Sequence, residues 1–313
     1  MDNELHIIIG GAGTIGRATT AALQAKNKRV VAVERSRTVE GIETRTADLL
    51  DAGQTKQALM GASHVYLCAG LPYDSEIWQA QWPLIMRNTI DACAEVGAKL
   101  IFFDNAYLYS HPLPQPFTED GPQHPDTKKG VVRKQIADML LTAHAEGKVR
   151  AVIGRSADFY GPHAIKSQLY AAFLERMLQG KRPISVYRQH QPHTYAYTID
   201  CGRALTQLAL DNGAYGQAWH LPVGVPITLA EITDHFNALL GTRLTVQVIP
   251  GIIYAILRQI NKLIREIKEM AYQFDEPYVM SAQKFRDRYP DFQVTPYDEG
   301  LRAMVESFKY PTK

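Results

Sequence analysis

The stretch LHIIIGGAGTIG, residues 5–16, decides the fold of this chain. Leu5 to Ile9 form an apolar run with the length of a buried parallel strand, and glycines follow where that strand must turn into a helix. The spacing Gly10-x-x-Gly13-x-x-Gly16 meets three needs: a tight turn, close approach of a pyrophosphate to the backbone, and packing of the helix on the strand. The sequence therefore predicts a dinucleotide-binding strand–turn–helix unit.

The predicted dinucleotide site extends from this turn to neighbouring strand ends. A helix over residues 14–26 would aim its positive N-terminal dipole at the phosphates, through the backbone of Thr14 and Ile15. Ligands of open parallel sheets bind outside the carboxyl ends of the strands. We therefore expect Ala69 and Gly70, which follow the apolar run ending at Leu67, to contribute as well.

Composition narrows the function classes. The chain has 313 residues, is 46% hydrophobic and 21% charged, and has a formal net charge of +2, which is ordinary for a soluble globular enzyme. We expect a small-molecule substrate and no nucleic-acid partner, since the charge gives no electrostatic case for one. The acidic start predicts no signal peptide, and we expect a cytoplasmic protein without membrane association. The cysteines Cys68, Cys93 and Cys201 fit small buried hydrophobes.

The order of predicted elements indicates a doubly wound parallel α/β (Rossmann) sheet with a smaller C-terminal α+β substrate domain. We predict a dinucleotide-binding domain over residues 1–161, to which some later segments return, and a substrate domain over 162–313. The predicted strands of the first domain are 5–9, 29–34, 43–47, 64–68, 99–104 and 149–154, with helices at 14–26, 54–60, 76–96 and 130–146. For the second, we predict helices at 166–179, 199–211, 228–240 and 296–308, and extended pieces at 183–187, 217–221 and 244–249.

One late segment has a helical pattern of isoleucines with basic residues between them. Apolar residues recur at helical spacing from Ile253 to Ile267, while Arg258, Lys262 and Arg265 fill the other faces. This pattern predicts an amphipathic helix that covers the core and leaves a basic side in solvent. A membrane-surface helix or a dimer seam remains an alternative.

Several later motifs resemble one family. The chain resembles the short-chain dehydrogenase/reductases, in particular the atypical members of the extended group that contains nucleotide-sugar epimerases and dehydratases. The matching strings are the glycine turn, Asp48-Leu49, Asn88-Thr89, Arg155-Ser156-Ala157-Asp158-Phe159-Tyr160-Gly161-Pro162, Tyr197-Thr198-Ile199-Asp200 and Thr295-Pro296-Tyr297-Asp298-Glu299-Gly300-Leu301. The resemblance implies that Asp48 and Leu49 contact the adenine, and that the protein is a nicotinamide-dependent enzyme and forms a homodimer.

The catalytic positions depart from the family pattern. The family uses a Tyr-x-x-x-Lys pair, whose spacing places both side chains on one helix face. Lys134, followed by Ala137 and Asp138, resembles the family lysine, which holds the nicotinamide ribose. The tyrosine position is then Gly130, which carries no proton. Asn105 takes the position of the family Ser or Thr that contacts the substrate oxygen.

Three hypotheses follow for the missing tyrosine. In the first, Tyr107 near Lys134 exchanges the proton, with Tyr160 as the second candidate; either could instead fill the wall of the cleft. In the second, the protein binds the dinucleotide without turnover, as a sensor or regulatory protein. The third is a structural partner without tight cofactor binding. The glycine turn opposes it, because three glycines carry an entropic cost that packing alone does not require.

The second strand predicts which dinucleotide binds. Glu34 at its end would accept the ribose hydroxyls of NAD, whereas Arg35 and Ser36, with Arg17 in the first helix, suit the 2′-phosphate of NADP. The cluster of guanidinium groups favours NADP over NAD.

A substrate contact is predicted for His193, together with Tyr160, on the basis of the family layout. His190-x-x-His193 has a spacing found in metal sites, but it lies in a polar sequence without a third ligand nearby. We therefore predict no metal site. Oxidoreductase, epimerase or dehydratase-like chemistry on a hydroxyl or carbonyl of a small polar, sugar-like substrate is the resulting prediction.

Overall fold

The computed structural model describes residues 4–186 and 188–309, except for the side chains of residues 255–258. The chain divides into two compact units. The first contains the chain up to Tyr109, Gln123–Ser156 and Ile199–Leu221. The second contains Ser110–Pro122, Ala157–Thr198 and the chain from Pro222 onward.

The first unit is built on a seven-stranded sheet. Its strands run β1 (Leu5–Ile9), β2 (Arg29–Glu34), β3 (Glu43–Thr46), β4 (His64–Leu67), β5 (Lys99–Asn105) and β6 (Ala151–Ser156), with a last strand at Ala218–His220. The spatial order is last strand-β6-β5-β4-β1-β2-β3, and every pairing is parallel. This is the predicted doubly wound Rossmann sheet, so the predicted fold class is confirmed.

The helices of the first unit cover the sheet because its strands are apolar on both faces. They are α1 (Thr14–Gln24), α2 (Ala52–Leu59), α3 (Ser75–Val96) and α4 (Lys128–Ala145), followed by α6 (Thr198–Leu210), whose first residue falls in the second unit. Ile7, Val65 and Leu100 on neighbouring strands are fully buried. Packing of helices against such strands supplies most of the hydrophobic stabilisation of a parallel sheet.

The second unit has two-stranded sheets, smaller than the sheet of the first unit, and more short helices. Its strands are β7 (Asp158–Tyr160), β8 (Ile184–Ser185), β9 (Tyr195–Tyr197) and β11 (Gln247–Val248), with the last strand of the large sheet numbered β10; β7 pairs with β9 and β8 with β11. A π-helical segment, Leu169–Leu174, leads into α5 (Glu175–Leu178), and further helices are α7 (Leu229–Leu240), α8 (Gly251–Ile260), α9 (Lys262–Lys268), α10 (Tyr272–Asp275), α11 (Gln283–Arg288) and α12 (Tyr297–Lys309). Phe173, Phe236 and Leu301 form the centre of its core.

Two predictions about elements need correction. The pattern over 253–267 predicts one helix, but the segment forms α8 and α9, because the Asn261 side chain accepts a hydrogen bond from the Ile264 backbone N–H and caps a new helix there. The strand predicted at 149–154 is shifted by two residues, which places Arg155 opposite Asp104 in the sheet. Within the described residues, no helix combines the length and apolar character that crossing a bilayer requires.

Candidate functional site

Two of the three glycines in the Gly10-x-x-Gly13-x-x-Gly16 motif leave no room for a side chain. Gly10 has a φ of +82°, and a Cβ there would lie 2.7 Å from the Ala69 Cα. A Cβ on Gly16 would overlap the Gly10 carbonyl oxygen. Packing alone therefore requires both glycines. This corrects the expectation that the glycines have no packing reason, and the turn by itself no longer opposes a structural partner.

The first turn of α1 is open to an anion. Gly13 is the N-cap residue of α1, has extended backbone angles, and provides no side chain to cap the helix. A Cβ at this position would meet only the Gly10 carbonyl oxygen, at 3.1 Å. Gly13 therefore places no capping side chain over the start of α1, where Thr14 and Ile15 lie. This cradle fits the pyrophosphate of a dinucleotide.

Glu34 and Arg17 bind the same residue of the turn. The Ala12 N–H donates to Glu34 Oε1 at 2.6 Å, and Arg17 Nε donates to the Ala12 carbonyl at 3.1 Å. The Glu34 carboxylate thus lies against the turn at the end of β2, where a ribose would bind. Arg35 and Ser36 are exposed.

The residues predicted near the adenine are ordered by hydrogen bonds. Asp48 accepts a bond from the Leu50 N–H at 3.0 Å, and Asn88 Nδ2 on α3 donates to the Leu49 carbonyl at 2.8 Å. Asn88 therefore fixes the loop after β3 to α3. A Cβ added to Gly70 would meet no atom within 4 Å, so the backbone after β4 is open there.

Asn105 and Tyr107 lie together at the end of β5. Asn105 Oδ1 accepts a hydrogen bond from the Tyr107 N–H at 3.1 Å. The Tyr107 ring stacks on Trp78, with 6.3 Å between the ring centroids and 15° between the planes. Tyr107 is half-buried, so its phenol is held by packing without being sealed in the core.

Arg133 lies against the same tryptophan as Tyr107. The Arg133 guanidinium lies 4.7 Å from the Trp78 ring centroid and 4.4 Å from that of Trp82. Desolvation lowers the pKa of Arg133, whereas the charges of Asp104, 3.3 Å away, and then of Tyr107 oppose that shift.

Lys134 pairs with a carboxylate on its own helix. Its ammonium donates to Asp138 at 2.5 Å on the partly exposed side of α4, and 32% of its side chain is exposed. The buried pair at i and i+4 on this helix is instead Lys129 and Arg133. Lys129 lies 4.6 Å above the ring of Tyr73.

Position 130 has no room for a side chain. A Cβ on Gly130 would come within 2.5 Å of the Tyr107 carbonyl oxygen, 2.6 Å of the Thr127 hydroxyl and 2.7 Å of the Pro125 ring. Thr127 is the N-cap of α4, and its hydroxyl accepts a hydrogen bond from the Gly130 N–H. The helix start thus closes over this position, and a tyrosine could be accommodated only if the loop moved.

A buried charge cluster underlies the end of β5. Asp104 is 1% exposed and pairs with Arg133 at 3.3 Å and with Arg155 at 3.7 Å. Arg155 also donates to the Tyr109 hydroxyl, which in turn is 2.6 Å from His220 Nε2. Burial raises the pKa of Asp104, and the two guanidinium groups oppose that shift. Sequence analysis missed this cluster because a strand pattern does not predict which charged residues become buried.

The predicted substrate residues lie in the interior of the second unit. Tyr160 is 1% exposed and packs among the rings of Tyr197 and Tyr297. His193 is 3% exposed; its Nδ1 donates to the Gln273 carbonyl at 3.1 Å. This placement favours structural roles for both side chains.

Asp158 is the more accessible residue beside His193, and sequence analysis did not single it out. Its carboxylate lies 3.1 Å from His193 Nε2 and is 24% exposed. Because Nδ1 faces the Gln273 carbonyl, Nε2 is the ring nitrogen that faces the Asp158 carboxylate. Its signal in the sequence was its place in the string from Arg155 to Pro162, two residues after β6.

One group of side chains has a composition found in metal sites. Glu4, His6 and His64 have ligand atoms within 4.8 Å of one another. The two imidazole rings stack with planes 4° apart, so their lone pairs lie in parallel planes, and Lys28 already binds Glu4 at 3.0 Å. The prediction of no metal site is kept.

Comparison with known proteins identifies the class. A family model, the NAD dependent epimerase/dehydratase family, matches residues 6–221. This match covers more than half of the chain, and the chain belongs to that family. A curated relative, mouse dTDP-D-glucose 4,6-dehydratase, is 22% identical over 228 residues, which are 70% of this chain and 58% of the relative's length.

Solved structures share the fold over almost the whole chain. UDP-glucose 4-epimerase of Thermus thermophilus, in complex with NAD, has a TM-score of 0.79 at 19% identity and covers 98% of this chain and 100% of its own. A dTDP-glucose 4,6-dehydratase of Streptomyces venezuelae has a TM-score of 0.78 at 16% identity, covering 98% and 97%. At these identities the likeness establishes the fold.

Proposed function

We propose that this protein is a nicotinamide-dependent oxidoreductase, epimerase or dehydratase-like enzyme that acts on a hydroxyl or carbonyl of a small polar substrate, a sugar derivative being the favoured class. One observation carries the proposal: the phosphate cradle after β1 and the Asn105–Tyr107 pair after β5 lie at carboxyl ends of strands in the same sheet. Family membership and the substrates named for the similar proteins support it.

Each side chain has a proposed task. When bound, the nicotinamide supplies the hydride acceptor or donor. Asn105 orients the substrate oxygen, and Tyr107 takes or returns the hydroxyl proton. Arg133 stabilises the negative charge on the phenol oxygen when the proton leaves. Lys134 holds the ribose, which requires its ammonium to share or release Asp138.

For the cofactor, we propose NAD, which reverses the preference predicted from the sequence. Glu34 is fixed against the turn by the Ala12 N–H, and its negative charge would repel a 2′-phosphate while accepting ribose hydroxyls. Arg17, predicted to bind that phosphate, donates its Nε to the Ala12 carbonyl. The NAD found in the similar Thermus and Streptomyces structures supports the proposal.

The remaining predictions are kept as proposals. We propose that residues 1–161, with the later segments that return to them, bind the dinucleotide, and that 162–313 supply most of the substrate contacts. Asp158 replaces His193 as the favoured substrate contact, because it is the more exposed member of that pair. The cytoplasmic location and the homodimer remain predictions as well.

The test of the proposed chemistry is Tyr107→Phe. We expect kcat on a hydroxyl, carbonyl or nucleotide-sugar substrate found by screening to fall by at least about 100-fold, because general acid–base groups contribute on this scale. Binding of NAD, measured by calorimetry, should change little. Tyr170→Phe in the second unit is the matched control. Unchanged turnover in the Tyr107 variant would exclude the proposed proton transfer.

A second candidate is a non-catalytic dinucleotide binder. The packing around Gly130 favours it, because that position admits no proton-carrying side chain. It predicts saturable NAD binding with no hydride transfer to or from any substrate in the same screen. If neither NAD nor NADP binds, both candidates fail and a structural role takes their place.

A further inference from the structure

α8 and α9 form a helical hairpin in the second unit with unusual surface chemistry. The Tyr254 hydroxyl donates to the Ile264 carbonyl at 3.4 Å and joins the two helices. Asn261 forms the bend between them and caps α9. We call residues 251–268 the α8–α9 hairpin.

The hairpin exposes large apolar side chains. Ile252 is 74% exposed, Ile253 47%, Ile260 78% and Leu263 54%. Single exposed apolar residues are common on protein surfaces, but a run of neighbouring ones marks an interaction site. Within the described residues, this is the segment where such side chains concentrate.

Basic residues accompany the exposed isoleucines. α9 carries the exposed cations Lys262, Arg265 and Lys268, and one acidic residue, Glu266, which is partly buried. An apolar face flanked by cations is the composition of helices that lie in the interface of an anionic bilayer.

A second copy of the chain fits this surface less well. A symmetric dimer would bring the same surface of both copies together, so the exposed cations of both hairpins would share one interface. An anionic lipid surface accepts both features, since the isoleucines enter the acyl boundary while the cations remain among the headgroups.

We propose that the α8–α9 hairpin binds the surface of a membrane rich in anionic phospholipids. The hairpin lies in the interface and does not cross the bilayer, in agreement with the absence of a spanning helix among the described residues. This inference goes beyond the proposed enzymatic function, is independent of it, and replaces the prediction that the protein has no membrane partner.

The test uses the full chain and lipid vesicles. Co-sedimentation compares vesicles of phosphatidylcholine with vesicles that contain about one-third phosphatidylglycerol. We expect binding to the anionic vesicles, weakened by salt because charge contributes. The double variant Ile252→Ser/Ile260→Ser should lower the partition coefficient at least about tenfold. Val225→Ser, which alters a 73% exposed valine outside the hairpin, should leave it unchanged.

Four results would overturn the proposal. The first is no binding of the wild-type chain, and the second is equal binding to neutral vesicles. The third is unchanged binding by the double variant with a thermal unfolding transition like that of the wild type. The fourth is a dimer by light scattering that the double variant dissociates, which would assign the hairpin to self-association.

Discussion

The turn after β1 and the end of β5 both present polar groups to a ligand, but the first does so with backbone and the second with side chains. We call these two places the corner after β1 and the corner after β5. After β1, the turn is made of backbone and glycine, and the features that a ligand would meet are N–H groups at the start of α1. After β5, the features are side chains: Asn105 and Tyr107, with Asp104 and Arg133 buried beneath them. The first corner depends on the absence of side chains, and the second depends on how side chains pair.

This difference predicts that the two corners respond differently to amino-acid substitution. The backbone turn after β1 keeps its geometry when surface residues are substituted. A methyl group added at a closed glycine of the turn would distort that geometry. A corner made of paired charges depends on each partner, because an unpaired charge in the interior is far less stable than a paired one. Chemistry can therefore change at the second corner while cofactor binding is retained at the first.

Asp104→Asn should produce the largest loss of stability. The change keeps the shape but removes the negative charge between Arg133 and Arg155, so two guanidinium groups remain buried without their counter-ion. We expect the free energy of unfolding to fall by about 3–5 kcal/mol, measured by chemical denaturation. Asp138→Asn, which breaks the partly exposed pair with Lys134, is the control and should lower it by less than about 1 kcal/mol.

Gly16→Ala tests the backbone corner. The added methyl would meet the Gly10 carbonyl oxygen, so the turn must shift, and we expect a destabilisation of about 1–3 kcal/mol with weaker NAD binding. Gly251→Ala is the control, because no atom lies within 4 Å of the new Cβ. Equal stability and affinity in both variants would show that the turn is looser than described.

Glu34→Gln tests which group selects the cofactor. Removing the charge beside Ala12 should lower the affinity for NAD and raise that for NADP, shifting the ratio of dissociation constants about tenfold, equal to about 1.4 kcal/mol. Calorimetric titration of both cofactors measures the ratio. A wild-type protein that prefers NADP would restore the preference predicted from the sequence and contradict the role given to Glu34.

Cys201 should give the smallest effect at neutral pH, and its contribution becomes visible only in alkali. Desolvation raises the pKa of its thiol to about 12 from the ordinary value of 9.0. The unfolded chain therefore loses this proton at lower pH than the folded chain, and stability falls as pH rises from 9 toward 12, by about 1.4 kcal/mol per pH unit at most.

The quantity to compare between variants is the slope of the free energy of unfolding against pH, and not its absolute value. Cys201→Ala should flatten the decline in the free energy of unfolding above pH 9, after the offset caused by the lost contact with Ser156 is subtracted. An identical slope in the two proteins would assign the alkaline decline to other groups, such as Tyr297, whose pKa burial raises to about 12.

The sheet was predictable because its signals are local. Apolar runs such as Leu5–Ile9 and the glycine spacing are complete within a dozen residues, and the structure has strands and α1 at those places. Lys134 was harder to place. Lys128, Lys129, Arg133 and Lys134 give α4 cations on adjoining faces, and sequence alone does not tell which face meets the end of β5.

Asn261 and Asp158 illustrate two further limits. A capping asparagine within a regular apolar pattern competes with helix propagation, and the outcome depends on whether the two resulting helices can pack. Asp158 is a candidate because the fold brings it beside His193, which lies far from it in the sequence. Pairs of this kind are products of the fold, and an amphipathic pattern contains no information about them.

The sequence by itself determined the Rossmann sheet, the glycine cradle and the family, because strand burial and backbone sterics follow from neighbouring residues. The tertiary structure decided that Arg133 is buried beside Asp104 while Lys134 pairs with Asp138, that position 130 is closed, and that Glu34 rests on the turn. Those outcomes depend on distances between residues distant in the chain, and the energy of a buried charge is set by the partners that the fold brings to it.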